Sequence, residues 1–217
     1  MYHFRRLLVF TLLSLLFINL TSAQKFTRDV WHEGEIDLND GSTVKGLLKI
    51  DIEKESIQLK SKGTIRSFSA QNIQAFQIID SRSKKLRSFY ALPFYTPNGY
   101  GNPHLFELLT EGETSLLVRE RIVEKIESNF DPYWGNMNSK QQYVREDDFY
   151  LLKPSSSIKM VDLRNREASL EHMKDQKEGL MAYIKQGKLK YYTRSDMIKI
   201  VNKYNQLKTV NKQASNQ

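Results

Sequence analysis

The chain has 217 residues, 40% of them hydrophobic and 27% charged, with no cysteine and a formal net charge of +8. That composition excludes wholesale disorder, and the lack of cysteine excludes a disulfide scaffold, so the core has to hold unaided. The basic excess is uneven: residues 24–139 hold 15 Lys and Arg against 16 Asp and Glu, a net of −1, whereas residues 140–217 hold 16 against 9, a net of +7.

Residues 1–23 read as a secretory signal peptide. Arg5 and Arg6 precede an unbroken apolar-rich run from Leu7 to Leu20, and Thr21-Ser22-Ala23 supply the small residues before a cut. The run has 14 residues, short of the roughly 20 a spanning helix needs. Cleavage between Ala23 and Gln24 is expected to leave an exported chain with no transmembrane segment, periplasmic, secreted or associated with the outer membrane.

Residues 24–164 read as one β-rich domain. Val44, Leu48 and Ile50 alternate with Lys45, Lys49 and Asp51, the period of a half-buried strand. Asn39-Asp40-Gly41, Lys62-Gly63 and Glu111-Gly112-Glu113 punctuate short Ile-, Val- and Leu-rich runs as hairpin turns. "SFYALPF" reads as a strand, and Pro93, Pro97 and Pro103 are expected to end its pairing, since proline brings no N–H to a ladder. Tyr95 and Tyr100 then fall on a Pro/Gly-rich loop, and Tyr133 and Trp134 on a second one, "NFDPYWGNMN". These four aromatics either pack down over a sheet end or form a rim that binds a protein or glycan partner.

Residues 165–209 change to helical texture. "NREASLEHMK" is a short helix candidate. Asp175 with Glu178 has the spacing of a capping box ahead of "QKEGLMAYIKQ", and Gly187 is placed to close it. Thr193 with Asp196 opens a further helix in which Met197, Ile200, Val201, Tyr204 and Leu207 make one apolar stripe, the pattern of a face docked on a core. Residues 210–217 read as a disordered tail. The fold expected is therefore α+β: an antiparallel β-rich barrel or sandwich followed by two or three short C-terminal helices.

Gly41, Gly46, Leu48, Asp51, Ile57 and Leu59 give residues 36–79 a resemblance to the Sm-like small β-barrels, which implies a local barrel topology. The RNA-contacting asparagine of that family has no counterpart here, so the resemblance does not extend to nucleic acid. Over most of its length the chain also resembles an uncharacterised family of exported envelope proteins of Gram-negative bacteria, through Glu33 to Gly41, Phe89 to Pro93, Phe106 to Gly112 and Tyr183 to Asn205. That resemblance implies an envelope location and brings no activity.

Sites for catalysis, metal or cofactor are not expected. His32, His104 and His172 are far apart and lack the paired spacing of a zinc hydrolase. Asp37, Asn39 and Gly41 alternate as in a calcium loop, but glycine holds the fifth position and Leu48 the place of the bidentate glutamate. Ser81 with Lys84, and Ser156 with Lys159, match a serine–lysine spacing without its companion motifs. Asp147 and Asp148 are a carboxylate pair that nothing singles out as acid and base. The function expected is that of a non-catalytic envelope protein, a binding or structural module. The alternatives are a module that sits on membrane or acidic glycan through its C-terminal lysines, and an envelope-polymer hydrolase.

Overall fold

The computed structural model describes residues 27–95, 101–130, 137–154 and 158–215. The expected signal peptide and its expected Ala23–Gln24 cut lie outside them, as do Tyr100, Tyr133, Trp134 and Ser156. The strands are β1 (His32–Leu38), β2 (Thr43–Asp51), β3 (Ser56–Ser61), β4 (Thr64–Ser69), β5 (Ile73–Ile79), β6 (Leu86–Tyr95), β7 (Gly101–Thr110), β8 (Ser115–Phe130), β9 (Met137–Leu152) and β10 (Lys159–Met160). They form a single antiparallel sheet in the order β10-β9-β8-β7-β6-β5-β1-β2-β3-β4. Three helices follow: α1 (Arg166–Ser169), α2 (Lys177–Gly187) and α3 (Arg194–Ser215). The chain is α+β, with its helices at the C-terminus.

The local chemistry explains the elements. Between β3 and β4, Lys62 and Gly63 both have positive φ, 49° and 81°, as a two-residue hairpin turn matched to strand twist demands. Gly34 and Gly46 lie opposite each other on β1 and β2. A Cβ on Gly34 would come within 2.2 Å of the Gln77 carbonyl oxygen, and one on Gly46 within 2.6 Å of that of Lys60. The strands can therefore close in at this point, and β1–β5 bend around a core of Ile36, Leu48, Ile50, Ile57, Leu59, Phe76 and Ile78, with Phe76 and Phe89 stacked 4.4 Å apart.

Pro93 and Pro103 behave differently from expectation, and Pro97 lies outside the described residues. Pro93 and Pro103 face each other within a β6–β7 hairpin that continues to Tyr95 opposite Gly101. The Leu105 N–H points away from β6, to the Glu55 carboxylate. By strand alternation the nitrogen of Pro103 points away too. The prolines thus occupy a pair at which the β6–β7 ladder needs no donor.

Side chains on one face of β7 alternate as Leu105, Glu107 and Leu109. Leu105 belongs to the β1–β5 core and Leu109 packs against a second core. That second core joins Leu116, Val118, Phe149 and Leu151 of the sheet to Leu180 and Ile184 of α2 and to Met197, Ile200, Val201 and Tyr204 of α3. The apolar stripe foreseen for α3 is thus its docking face. The capping box is not formed: the α2 N-cap is Gln176, with no side-chain cap bond. Asp175 instead accepts from the Tyr204 hydroxyl (2.9 Å) and from Lys208 (3.1 Å), so the tertiary partner has displaced the local one. At the other end, α3 runs 22 residues to Ser215, into the stretch expected to be a tail.

Candidate functional site

The opposite face of the sheet carries a small third core, Phe106, Leu117, Tyr150 and Ile158, with Leu92 and Phe94 packed against it. Phe94 meets His104, Phe106 and Tyr150 edge-on at 5.5–5.8 Å between ring centroids. Beside this core lies an open trough of about 650 Å³. Its walls are Leu92, Pro93 and Tyr95 of β6, Leu152 of β9, and Pro154 and Ile158, with Glu113, Ser115 and Lys153 at the polar side. Lys153 is already engaged by the His172 carbonyl (2.6 Å) and the Tyr204 hydroxyl (3.2 Å), so what the trough offers is apolar area.

Tyr95 is the one expected rim residue inside the described chain. It is 64% exposed, yet it is not a loop residue: it ends β6 directly opposite Gly101, where a Cβ would lie 2.6 Å from its ring. An aromatic laid across a facing glycine is held in place by the strand pair while one side of its ring stays open. Whether Tyr95 shares a rim with Tyr100, Tyr133 and Trp134 lies outside the described residues.

A second assembly went unnoticed in the sequence. Between the two large cores, on the same face of the sheet, lies a seam of charged side chains. Arg87 on β6 forms a two-pronged pair with Glu107 (2.7 and 2.8 Å) and reaches Asp80 (3.2 Å). Arg194, at the start of α3, grips Asp147 through Nε and Nη2 (both 2.8 Å), Glu107 through Nη1 (2.6 Å) and Glu120 through Nη2 (3.4 Å). The side chains of Glu107, Glu120 and Asp147 are 7, 10 and 13% exposed. Burial disfavours the Arg194 cation, but Asp147 and Glu107 outweigh it and raise its pKa. Burial likewise opposes the Asp80 carboxylate, yet the Ser83 and Arg82 N–H groups and Arg87 hold its pKa down at about 2. The signal was available: Glu107 falls between Leu105 and Leu109 on an apolar face, and Asp147 two residues before buried Phe149.

The other residues singled out in the sequence have structural occupations. Asp147 and Asp148 point to opposite faces of β9, and each is chelated by an arginine, Asp147 by Arg194 and Asp148 by Arg121. His32 is buried and its Nδ1 accepts the Ser81 N–H at 3.0 Å. His104 pairs with Glu55 at 2.6 Å, and Glu55 also binds Arg119. The supposed calcium loop is a turn in which Asp40 accepts from the Ser42 N–H (2.9 Å) and hydroxyl (2.6 Å). Ser81 and Lys84 lie in the β5–β6 turn, where Lys84 has φ 57°. Among the described residues no group of His, Asp and Glu is gathered for a metal ion, and no helix is long and apolar enough to cross a membrane. In the basic C-terminal third, Lys174, Lys177, Lys199 and Lys208 pair with Glu171, Glu167, Asp196 and Asp175.

In comparisons with known proteins, no family model matches the chain, and no curated protein or solved structure matches it either.

Proposed function

We propose that the chain is an exported, non-catalytic protein of the cell envelope that captures an apolar segment of a partner protein in the trough beside Tyr95. The observation that carries this reading is the trough itself: aliphatic and proline walls, polar groups already paired, and one open aromatic fixed over a glycine. A glycan would be better served by several flat rings set in unpaired polar groups, whereas an aliphatic protein segment is served by shape and apolar area. The guanidinium chelation of both Asp147 and Asp148 supports a non-catalytic role for that pair. The bent antiparallel unit β5-β1-β2-β3-β4 around its own core supports the small-barrel reading of residues 36–79. Local pairing of Lys174, Lys177, Lys199 and Lys208 with carboxylates leaves fewer cations to an acidic surface, which makes it the lesser candidate for partner.

The test is site-specific crosslinking from position 95 in intact envelopes, followed by affinity measurement on the partner it identifies. The expected mature chain begins at Gln24 and is recovered from periplasm or medium. Replacing Tyr95 by alanine is expected to weaken capture by roughly 1–3 kcal/mol, the scale of an aromatic hot spot, and added salt to change it little. Capture that ignores Tyr95→Ala but fades with salt refutes the trough and favours the lysine-bearing helices.

A further inference from the structure

β8 and β9 pair without a register shift over their whole length, from Ser115 opposite Leu152 to Phe130 opposite Met137. The strands beside them stop much earlier. β7 pairs with β8 only as far as Val118, and β10 pairs with β9 only at Leu151 and Tyr150. The Glu53 carboxylate takes the Ile122 N–H at 3.1 Å, and the Phe149 carbonyl takes the Val161 N–H at 2.8 Å. Beyond these the pair continues as a two-stranded arm roughly 30 Å long at the usual rise per residue. Two strands alone are marginal in water, and three or more are needed for independent stability.

Residues 137–147 contain no proline and the pairing with β8 has no bulge, so two of the devices that close an edge are missing from β9; a third, charged side chains, is represented by Lys140, Arg145, Glu146 and Asp147 and restricts which strand can add. Since Phe149 faces outward to Val161, alternation turns the N–H and C=O groups of Asp147, Arg145, Tyr143 and Gln141 outward as well. Tyr143 and Ile126 are 51 and 68% exposed and lie on the same face of the arm. At the base, a cleft of about 700 Å³ separates Arg145, Glu146, Asp147 and Asp148 from Met160–Leu163 and Tyr192.

We infer that this edge pairs with the same edge of a second copy of the chain, strand β9 against strand β9 across a two-fold axis. Val161 already occupies the position opposite Phe149, so an added strand has to stop at Asp147. Full use of the open stretch then sets position 137 of one copy opposite 147 of the other, with Gln142 on the axis. Read from the sequence alone, that register sets no two charged positions opposite each other. Outward-facing odd positions meet odd positions, so about a dozen backbone hydrogen bonds form. The end of the incoming strand enters the basal cleft. Two marginal arms become one four-stranded sheet with the two β9 strands in its middle, and a two-fold contact of this kind closes on itself instead of propagating.

The experiment is sedimentation of the full mature chain. A dimer is expected, and Gln142→Lys or Gln142→Glu alone is expected to weaken it at least tenfold, by setting like charges across the axis, while an equimolar mixture of the two variants recovers the wild-type association. Tyr143→Pro removes an outward N–H without touching the β8–β9 ladder and is also expected to yield monomer; if that variant fails to fold, the Gln142 pair decides. A chain that stays monomeric up to roughly 100 µM overturns the inference. So does a dimer whose association ignores the Gln142 charges, since its interface would then lie elsewhere.

Discussion

Replacing Arg194 by alanine probes the charged seam most directly. Among the described residues the guanidinium is the one cation that touches Glu107, Glu120 and Asp147 together. Without it Arg87 still holds Glu107 and stands 3.6 Å from Glu120, and Arg145 approaches Asp147 no closer than 4.0 Å. Asp147 is therefore stranded in a site where its side chain is 13% exposed. Breaking a buried pair from one side costs about 3–5 kcal/mol, most of it the penalty of the abandoned charge and not the net worth of the pair. For a chain of this size that corresponds to a fall in Tm of roughly 10 °C. Thermal and denaturant unfolding of the wild type, Arg194→Ala, Asp147→Ala and the double variant would measure it. The double variant should be less damaged than the sum of the two singles, because the second change removes the charge the first one strands. A loss below about 1 kcal/mol for Arg194→Ala, or strict additivity, refutes the reasoning, since either would mean that water already solvates the seam.

Three further outcomes are expected. Asp80 has a folded pKa of about 2, below the usual carboxylate value, so its contribution is complete above about pH 4 and is lost as the pH falls toward 2; in Asp80→Asn that part of the acid-induced loss should be missing from stability curves. Gly34→Ala should destabilise by about 1–3 kcal/mol or more, because its Cβ would lie 2.2 Å from the Gln77 carbonyl oxygen, backbone that cannot step aside, and 2.9 Å from the Leu48 side chain, whereas an alanine at Gly41, where nothing lies within 4 Å, should show only the smaller strain of positive φ; equal losses at the two sites would contradict the close approach of the strands. Removing residues 176–207 should bare Leu116, Val118, Phe149 and Leu151 and cause aggregation; a truncated chain that stays soluble and melts cooperatively would mean the helices fold as a separate module.

Much of the architecture could be read in the sequence because alternation and turn chemistry are local signals. Val44, Leu48 and Ile50, the Lys62-Gly63 turn and the Met197–Leu207 stripe each announce their role within a dozen residues. What escaped depends on partners distant in the chain. Asp175 has the spacing of a helix cap and is claimed instead by Tyr204, 29 residues on. Pro93 and Pro103 look like breaks until they are set opposite each other in a pair that needs no donor. The length of the β8–β9 arm was hidden because its sequence, from Arg121 outward, carries the mixed charge of a surface, and a two-stranded ribbon has no buried face to impose alternation. Of the rim aromatics only Tyr95 falls in the described chain, and Gly101, which fixes its ring, was not singled out in the sequence.

The seam is placed where three loads meet. One face of the sheet runs from the β1–β5 core to the core under α2 and α3, and the pieces it joins have no continuous apolar packing between them, since Glu107 interrupts the line from Leu105 to Leu109. A purely apolar joint at that point would hold without fixing an orientation, because hydrophobic attraction has no direction. Arg194 supplies direction: its planar fork fits the Asp147 carboxylate from both prongs while reaching Glu107 and Glu120. Glu120 and Asp147 are themselves opposite residues on β8 and β9, at the level where the arm leaves the body. One side chain at the start of α3 therefore ties the helices to β7 and to both strands at the root of the arm. Loosening it should free the arm's angle as well as lower stability, so Arg194→Lys, which keeps the charge but loses the fork, should raise hydrogen exchange at Arg121 to Ile126 more than in the β1–β5 core. Uniform exchange through both regions would place the arm's anchor elsewhere.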